Sequence, residues 1–504
     1  MDTARPSYTR ILSAYAARFR RPWVVFLVST AILGLVAFTT SHLRTACAYG
    51  GCCPSWTMPV HYRSWGGSSG GSHRDQETSV RLLQADRSEC AQFPDTSNIL
   101  LVMKTGASEA YARVPTQLLT NMRCLPDFLI FSDMEQTIAG HEILDSLDTV
   151  LPEAKSGNKD FGLYARQKKC PLAQEDCNGG IKVAPEAWAL DKYKNIHVAE
   201  KAYALRPYHD WYIFVDADTY VVWPTLVEWL AQFDPRKKHY MGSVALLVGH
   251  PFAHGGSGYV LSQGTMRAFF DGKSGVANKY DMAAKTTCCG DALFSKAVEE
   301  ETGVDVKNAY HEQWPTVNGE QPHSLAYGEK QWCQPIVTMH HVSSHVVSEM
   351  NALERARKFS SPMRIRDIYQ HFVQGELPRT REGWDNMSDD VHYLNTTAPG
   401  ADKWKSGKVK TEGLSQLEQE AHLSFHNCRL ACQNLPDCLQ CRHHGGVCSM
   451  STTVKHGRPA QNKSAGAEED TEEDDRWMSG WDLERIEAWV RGHEECGEVV
   501  WPTP

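Results

Sequence analysis

Positive charge is in short supply. The chain of 504 residues carries 52 Lys and Arg against 61 Asp and Glu, a formal net charge of −9. Gripping a phosphate backbone needs a basic footprint, so nucleic acid is excluded as the main partner. Glycine (37) and proline (24) are too sparse for a collagen-like or low-complexity chain, and 41% hydrophobic residues is ordinary for globular domains. A polytopic membrane protein is excluded on the same grounds. At roughly 100–200 residues per domain the length suggests two to four units. Cysteine is missing before and within Pro22–Thr40, yet all 16 cysteines follow it.

Pro22–Thr40 reads PWVVFLVSTAILGLVAFTT and holds no charge. At 1.5 Å rise per residue it nearly spans a hydrocarbon core of about 30 Å. Arg10, Arg18, Arg20 and Arg21 precede it, with Asp2 the one opposing acid, and Arg44 follows. The positive-inside bias makes residues 1–21 a cytosolic tail, 22–40 an uncleaved signal-anchor and the rest lumenal. A cleaved signal peptide fits less well, because the run is long and no A-x-A site follows. Sixteen cysteines suit an oxidising lumen. The sequons Asn386-Met-Ser, Asn395-Thr-Thr and Asn462-Lys-Ser agree with it.

Residues 41–88 read as a stem, Gly/Ser-rich around Ser64–His73. Order is expected from about Cys90. Ile99–Met103, Phe128–Phe131 and Trp211–Val215 are apolar runs fit for buried strands, while 107–123, 191–205, 225–233 and 292–299 are helix-compatible. Strand–helix alternation predicts an α/β domain over 89–375 with a mostly parallel sheet, its ligands beyond the carboxyl ends of the strands. Residues 376–420 read as a connector. From 421 to 504, Cys428, Cys432, Cys438, Cys441, Cys448 and Cys496 suggest a small disulfide module, with zinc the lesser alternative. The acidic run Glu468–Asp475 reads as a solvated loop.

Chemistry concentrates at Phe214–Leu226, FVDADTYVVWPTL. Asp216 and Asp218 follow an apolar strand and, two apart in extended chain, point the same way. Two hard oxygen donors suit Mn²⁺ or Mg²⁺, and such an ion suits a departing diphosphate. Trp314 and Trp332 flank the loop before a late histidine motif and could wall a sugar site. Residues two apart are too close for the carboxylate pair of a glycosidase.

Four ordered stretches carry a resemblance. They are Val102-Met-Lys-Thr105 with Phe131-Ser-Asp133, Ala199–Tyr220 around the D-x-D, Gly255-Gly-Ser-Gly-Tyr-Val-Leu-Ser262, and Met339-His-His-Val342. Over roughly 95–350 the chain resembles glycosyltransferase family 31, nearest its fungal members related to core 1 β-1,3-galactosyltransferases and fringe. The resemblance implies a GT-A (Rossmann-like) fold, a UDP-sugar donor, a divalent metal and inversion, with a hexose, galactose foremost, passed to a glycan or glycoprotein through a β-1,3 bond. With the anchor it implies a type II protein of the Golgi membrane, and it allows a homodimer. It implies Asp218 as a direct metal ligand, Asp216 on the metal or the donor ribose, and His340 as the distant ligand, with His341 and His345 close rivals. Lys104, Thr105, Asp133, Gly255 and Gly256 are then substrate-binding, and Asp291 in Cys288-Cys-Gly-Asp-Ala-Leu-Phe294 is the base. Ala217 and Gly290 replace acidic residues of the family pattern, which keeps open a non-catalytic sugar- or protein-binding relative. Cys288 and Cys289 are expected to bond to other cysteines. The module Phe425–Cys448 resembles a PAN/apple-like domain.

Overall fold

Apolar runs alternating with helix-forming stretches between Ile99 and Asn308 build a sheet of eight strands. The computed structural model describes residues 90–170, 174, 184–308, 315–397, 404, 406–460 and 476–501. The proposed anchor and stem, Trp314, Asn462 and the acidic run 468–475 lie outside the described residues. Among the described residues no helix is long and apolar enough to cross a membrane.

The strands lie in the order Lys307–Asn308, Tyr240–Gly242, Tyr259–Ser262, Trp211–Asp216, Ile99–Lys104, Phe128–Ser132, His141–Asp145, Gln136–Ile138. The four from Trp211–Asp216 to His141–Asp145 run parallel, while Tyr259–Ser262 pairs antiparallel with Trp211–Asp216. The sheet is therefore mixed. Period-two alternation divides the central strands between two cores. Leu100, Val102, Tyr212 and Phe214 face one, and Leu101, Met103, Ile213 and Val215 face the other. Helices Lys194–Leu205 and Gly290–Thr302 cover the first face, and Ala110–Leu119 and Trp223–Leu230 the second. The result is an α/β/α sandwich.

Helix boundaries differ from the sequence reading. The stretch 107–123 is helical only at Ala110–Leu119. The helix expected over 191–205 is two, Ala184–Asp191 and Lys194–Leu205, parted at Lys192 and Tyr193. The third starts at Trp223, because Pro224 fits the first turn of a helix, where its missing N–H is not needed.

A second, three-stranded sheet joins Thr316–Asn318, Ile336–Met339 and Tyr220–Val221. A third, antiparallel and five-stranded, runs Thr380–Glu382, Met478–Trp481, Gln440–His444, Val447–Ser451, Val391–Leu394, with helix Phe425–Asn434 against it. Residues 380–394, read as connector, thus supply two strands to the C-terminal sheet. That sheet is not insulated from the rest. Trp481, Ile486 and Val490 share a core with Tyr220, Trp332 and Tyr369.

Cysteine pairing ties the C-terminal segment both to itself and to the preceding domain. Cys428 bonds Cys448 and Cys432 bonds Cys438, but Cys496 reaches back to Cys333, and Cys441 is a buried free thiol. Cys90–Cys124 ties down the start of the described chain. The sequon Asn386 is 0% exposed, and its Nδ2 donates to the carbonyls of Cys441 and Gly480. A glycan replaces one of the two Nδ2 hydrogens, so at least one of these bonds would be lost, and the fully buried side chain leaves no room for the sugar. Asn395 is exposed, and its Oδ1 accepts from Thr397 N and Oγ1, leaving Nδ2 outside those bonds.

Candidate functional site

The site forms where the two β-sheets of the α/β domain meet. In the parallel pair Lys104 is opposite Asp216, the last residue of each strand. The chain then turns: Ala217 N donates to Lys104 O, and Thr219 N to Asp216 O. Buried Gln117 holds the turn, its Nε2 donating to Ala217 O and Thr219 O at 2.9 and 3.0 Å. Tyr220 pairs with Met339 in the small sheet, and Val342 N donates to Asp218 O. This register brings His340, 122 residues downstream, to the carboxylate. His340 Nε2 lies 3.2 Å from Asp218 Oδ1.

Asp216, Asp218 and His340 each offer a ligand atom, all within 4.8 Å of one another. His340 is buried, whereas His341, at φ 58°, stacks on it from an exposed position, and His345 is exposed at a helix start. Two carboxylates with one imidazole suit Mn²⁺ better than Mg²⁺, which favours all-oxygen shells. Asp216 Oδ1 is buried with Lys104 Nζ 3.0 Å away, and His340 presents Nε2 to Asp218 while its buried Nδ1 meets no hydrogen-bond partner. Burial pushes the Asp216 carboxyl up, helped by Asp191 and Asp218 and opposed by Lys104. Burial also acts to raise Asp218, but the His340 hydrogen bond, with His340 and Arg113 charge, brings it below its usual value.

Beside these ligands a cavity of about 260 Å³ is bounded by Lys104, Thr105, Arg113, Trp188, Asp216 and Asp218. Lys104 and Thr105 thus border this cavity. Asp133 does not. It is 0% exposed and accepts from Ala107 N, so it shapes the loop after Lys104 from behind. Trp332 is 1% exposed, packed against Tyr369 and Trp489, its Nε1 donating to His493 O; it is a core residue and walls no sugar site.

Gly255 and Gly256 are buried, and the room they leave is taken by side chains. A Cβ on Gly256 would lie 2.1 Å from His340 Cε1, and one on Gly255 3.4 Å from Asp291 Cβ. The two glycines thus bring His340 and Asp291 to either side of one dipeptide. Asp291 lies in the first turn of helix Gly290–Thr302, not at its cap: Oδ1 accepts from Ala292 N and Oδ2 from Gly255 N. Cys288 and Cys289 bond to each other rather than to distant partners. The missing acid at 290 has a steric reason. A Cβ there would meet Lys192 Cα at 2.5 Å and Lys192 O at 2.9 Å. We expect Gly290→Ala to cost about 1–3 kcal/mol in denaturant unfolding, the usual range for overpacking; an unchanged midpoint would refute the close contact.

Arg113, Gln117, Trp188, Asp191 and Lys194 carry no sequence signal that singles them out. Arg113 and Gln117 are four apart on one helix, a spacing too common to mark a site.

Behind the D-x-D turn, Tyr220 OH donates to Glu354 Oε2, and Glu354 is 2% exposed. Burial pushes its carboxyl from 4.5 up to about 8, more than the Tyr220 bond draws it down. The folded state therefore binds a proton that the unfolded state releases above pH 4.5. The contribution of Glu354 to stability is expected to fall as pH rises from about 4.5 to about 8, then to level off. Glu354→Gln should flatten that slope in unfolding titrations, and an unchanged slope would count against a neutral Glu354.

Residues 185–373 match the family model described as Fringe-like. The match takes in the D-x-D, glycine and histidine motifs, and with the mixed α/β fold it supports the fringe and β-1,3-galactosyltransferase-like family 31. A domain of this kind suggests a glycosyltransferase, with a sugar donor and a glycan acceptor as partners. No curated protein matches the chain.

Proposed function

We propose that the protein is an inverting, metal-dependent glycosyltransferase that moves a hexose, galactose foremost, from a UDP-sugar to a glycan or glycoprotein acceptor through a β-1,3 bond. The observation carrying the reading is the convergence of Asp216, Asp218 and His340 beside a cavity bordered by Lys104. Those three residues would hold Mn²⁺, or Mg²⁺. Such an ion supplies positive charge to the diphosphate that departs. Lys104 and Arg113 add fixed positive charge to the same cavity. Asp291, beyond the Gly255–Gly256 dipeptide, takes the proton of the attacking hydroxyl. Its carboxylate spends one lone pair of each oxygen on Ala292 N and Gly255 N, which fixes its direction and leaves others for that proton. Steric exclusion of an acid at 290 accounts for that departure without requiring loss of activity. Screening the secreted lumenal segment against UDP-galactose, UDP-N-acetylglucosamine and UDP-glucose with p-nitrophenyl glycosides tests the reading; no transfer with any pair would reject it.

We further propose a type II anchor in the Golgi membrane through Pro22–Thr40, and a PAN/apple-like C-terminal module, supported by its helix on a five-stranded antiparallel sheet with two disulfides. In secreting cells Asn395→Gln is then expected to remove one glycan from the mobility pattern, while Asn386→Gln removes none. A glycan on Asn386 in folded protein would contradict the buried amide.

A further inference from the structure

The charge around the site does not balance. Three cations, Lys104, Arg113 and Lys194, border the cavity with four carboxylates, Glu109, Asp191, Asp216 and Asp218, and Asp133 lies buried behind. Five carboxylates meet three cations, so the site is net negative and the placing of each cation decides what else can bind.

Lys104 is the cation nearest the candidate ligands. Its Nζ makes a 2.6 Å hydrogen bond to Asp191 and lies 3.0 Å from Asp216 Oδ1. At that distance the ammonium forms an ion pair with Asp216 as well as with Asp191. Asp191 is in turn 3.4 Å from Lys194, whose Nζ donates to Thr105 O. The ammonium is thus shared between two carboxylates and borders the cavity.

We propose that Lys104 is a tethered counter-ion: it offsets Asp216 in the free protein, opposes binding of a divalent ion on its own, and turns to the diphosphate when nucleotide and ion arrive together. Asp191 is the partner that keeps the ammonium at hand. No covalent step is involved. An ammonium and a divalent cation repel at this range, and the low-dielectric surroundings enlarge the effect. Nucleotide phosphates reverse the balance, since they give the ammonium a new anion to face. The consequence is ordered loading, in which ion without nucleotide binds weakly. Lys104 and Asp191 are positioning residues in this scheme.

This inference rests on the proposed metal and UDP-sugar site. The test is binding of Mn²⁺, read as loss of the free-ion electron paramagnetic resonance signal, with and without UDP, on the full chain. Wild type is expected to bind Mn²⁺ weakly alone and much more tightly with UDP. Lys104→Met should bind Mn²⁺ alone about tenfold tighter, and UDP in the presence of Mn²⁺ about tenfold weaker. Asp191→Asn, which leaves Asp216 as the charged partner nearest the ammonium, should weaken Mn²⁺ binding without UDP more than with it. Lys104→Gln with a wild-type melting temperature guards against misfolding and should behave as Lys104→Met. Mn²⁺ affinity unchanged or weaker in both lysine variants overturns the counter-ion role while leaving the site intact. No Mn²⁺ or UDP binding by wild type overturns the proposed site itself, and the inference with it.

Discussion

Asp218→Asn is expected to lower transfer from a UDP-sugar by more than about 100-fold, because it removes a proposed direct ligand, and loss of even an outer partner of a metal site costs 10–100-fold. The fold should survive. Asn has the shape of Asp, the backbone of residue 218 is held through Val342 N, and Gln117 fixes the turn from behind. His340 loses a carboxylate at 3.2 Å, and Arg113 loses one at 3.7 Å. The measurement is kcat/KM with Mn²⁺ beside a thermal melt, with EDTA treatment of wild type as the matched control. Full activity in Asp218→Asn, or activity that EDTA leaves untouched, would mean that the cluster holds no ion that matters.

Asp291→Asn should separate chemistry from donor binding. Removing a positioned base lowers kcat by about 10²–10⁴. Donor KM is expected to change little, since Asp291 lies across the Gly255–Gly256 dipeptide from His340 and does not border the cavity beside the D-x-D. One of its two backbone bonds, to Ala292 N or Gly255 N, is weakened in the amide, so a modest loss of stability should accompany the kinetic effect. A parallel rise in donor KM with kcat preserved would move Asp291 out of the role of base and into donor recognition.

Much of the site is legible in the amino-acid order. The apolar strand ending in Asp216 announces itself in FVDAD, because a buried parallel strand has to be apolar on both faces and the polar residues then fall at its tip. Ile99–Lys104 and Phe128–Ser132 are readable for the same reason. The histidine is less so: His340, His341 and His345 are one residue type in one short stretch, and the Tyr220–Met339 register is what turns His340 inward. Trp332 and Asp133 show the opposite failure. Nothing in their neighbours along the chain distinguishes a cavity wall from a core side chain, and both are buried. Gly290 looks like a lost acid, whereas its reason lies in Lys192, 98 residues away, which leaves no room for a side chain.

Local sequence is thus enough for the parallel strands, for paired carboxylates at a strand end and for the glycine-rich turn, since hydrophobic periodicity and backbone sterics act over a few neighbouring residues. Long-range packing had to settle which histidine faces the aspartates, which sequon stays open, how Cys496 pairs, and that Lys104 stands between Asp191 and Asp216. Those depend on strand register and on contacts between segments about one hundred residues apart, which no local pattern encodes.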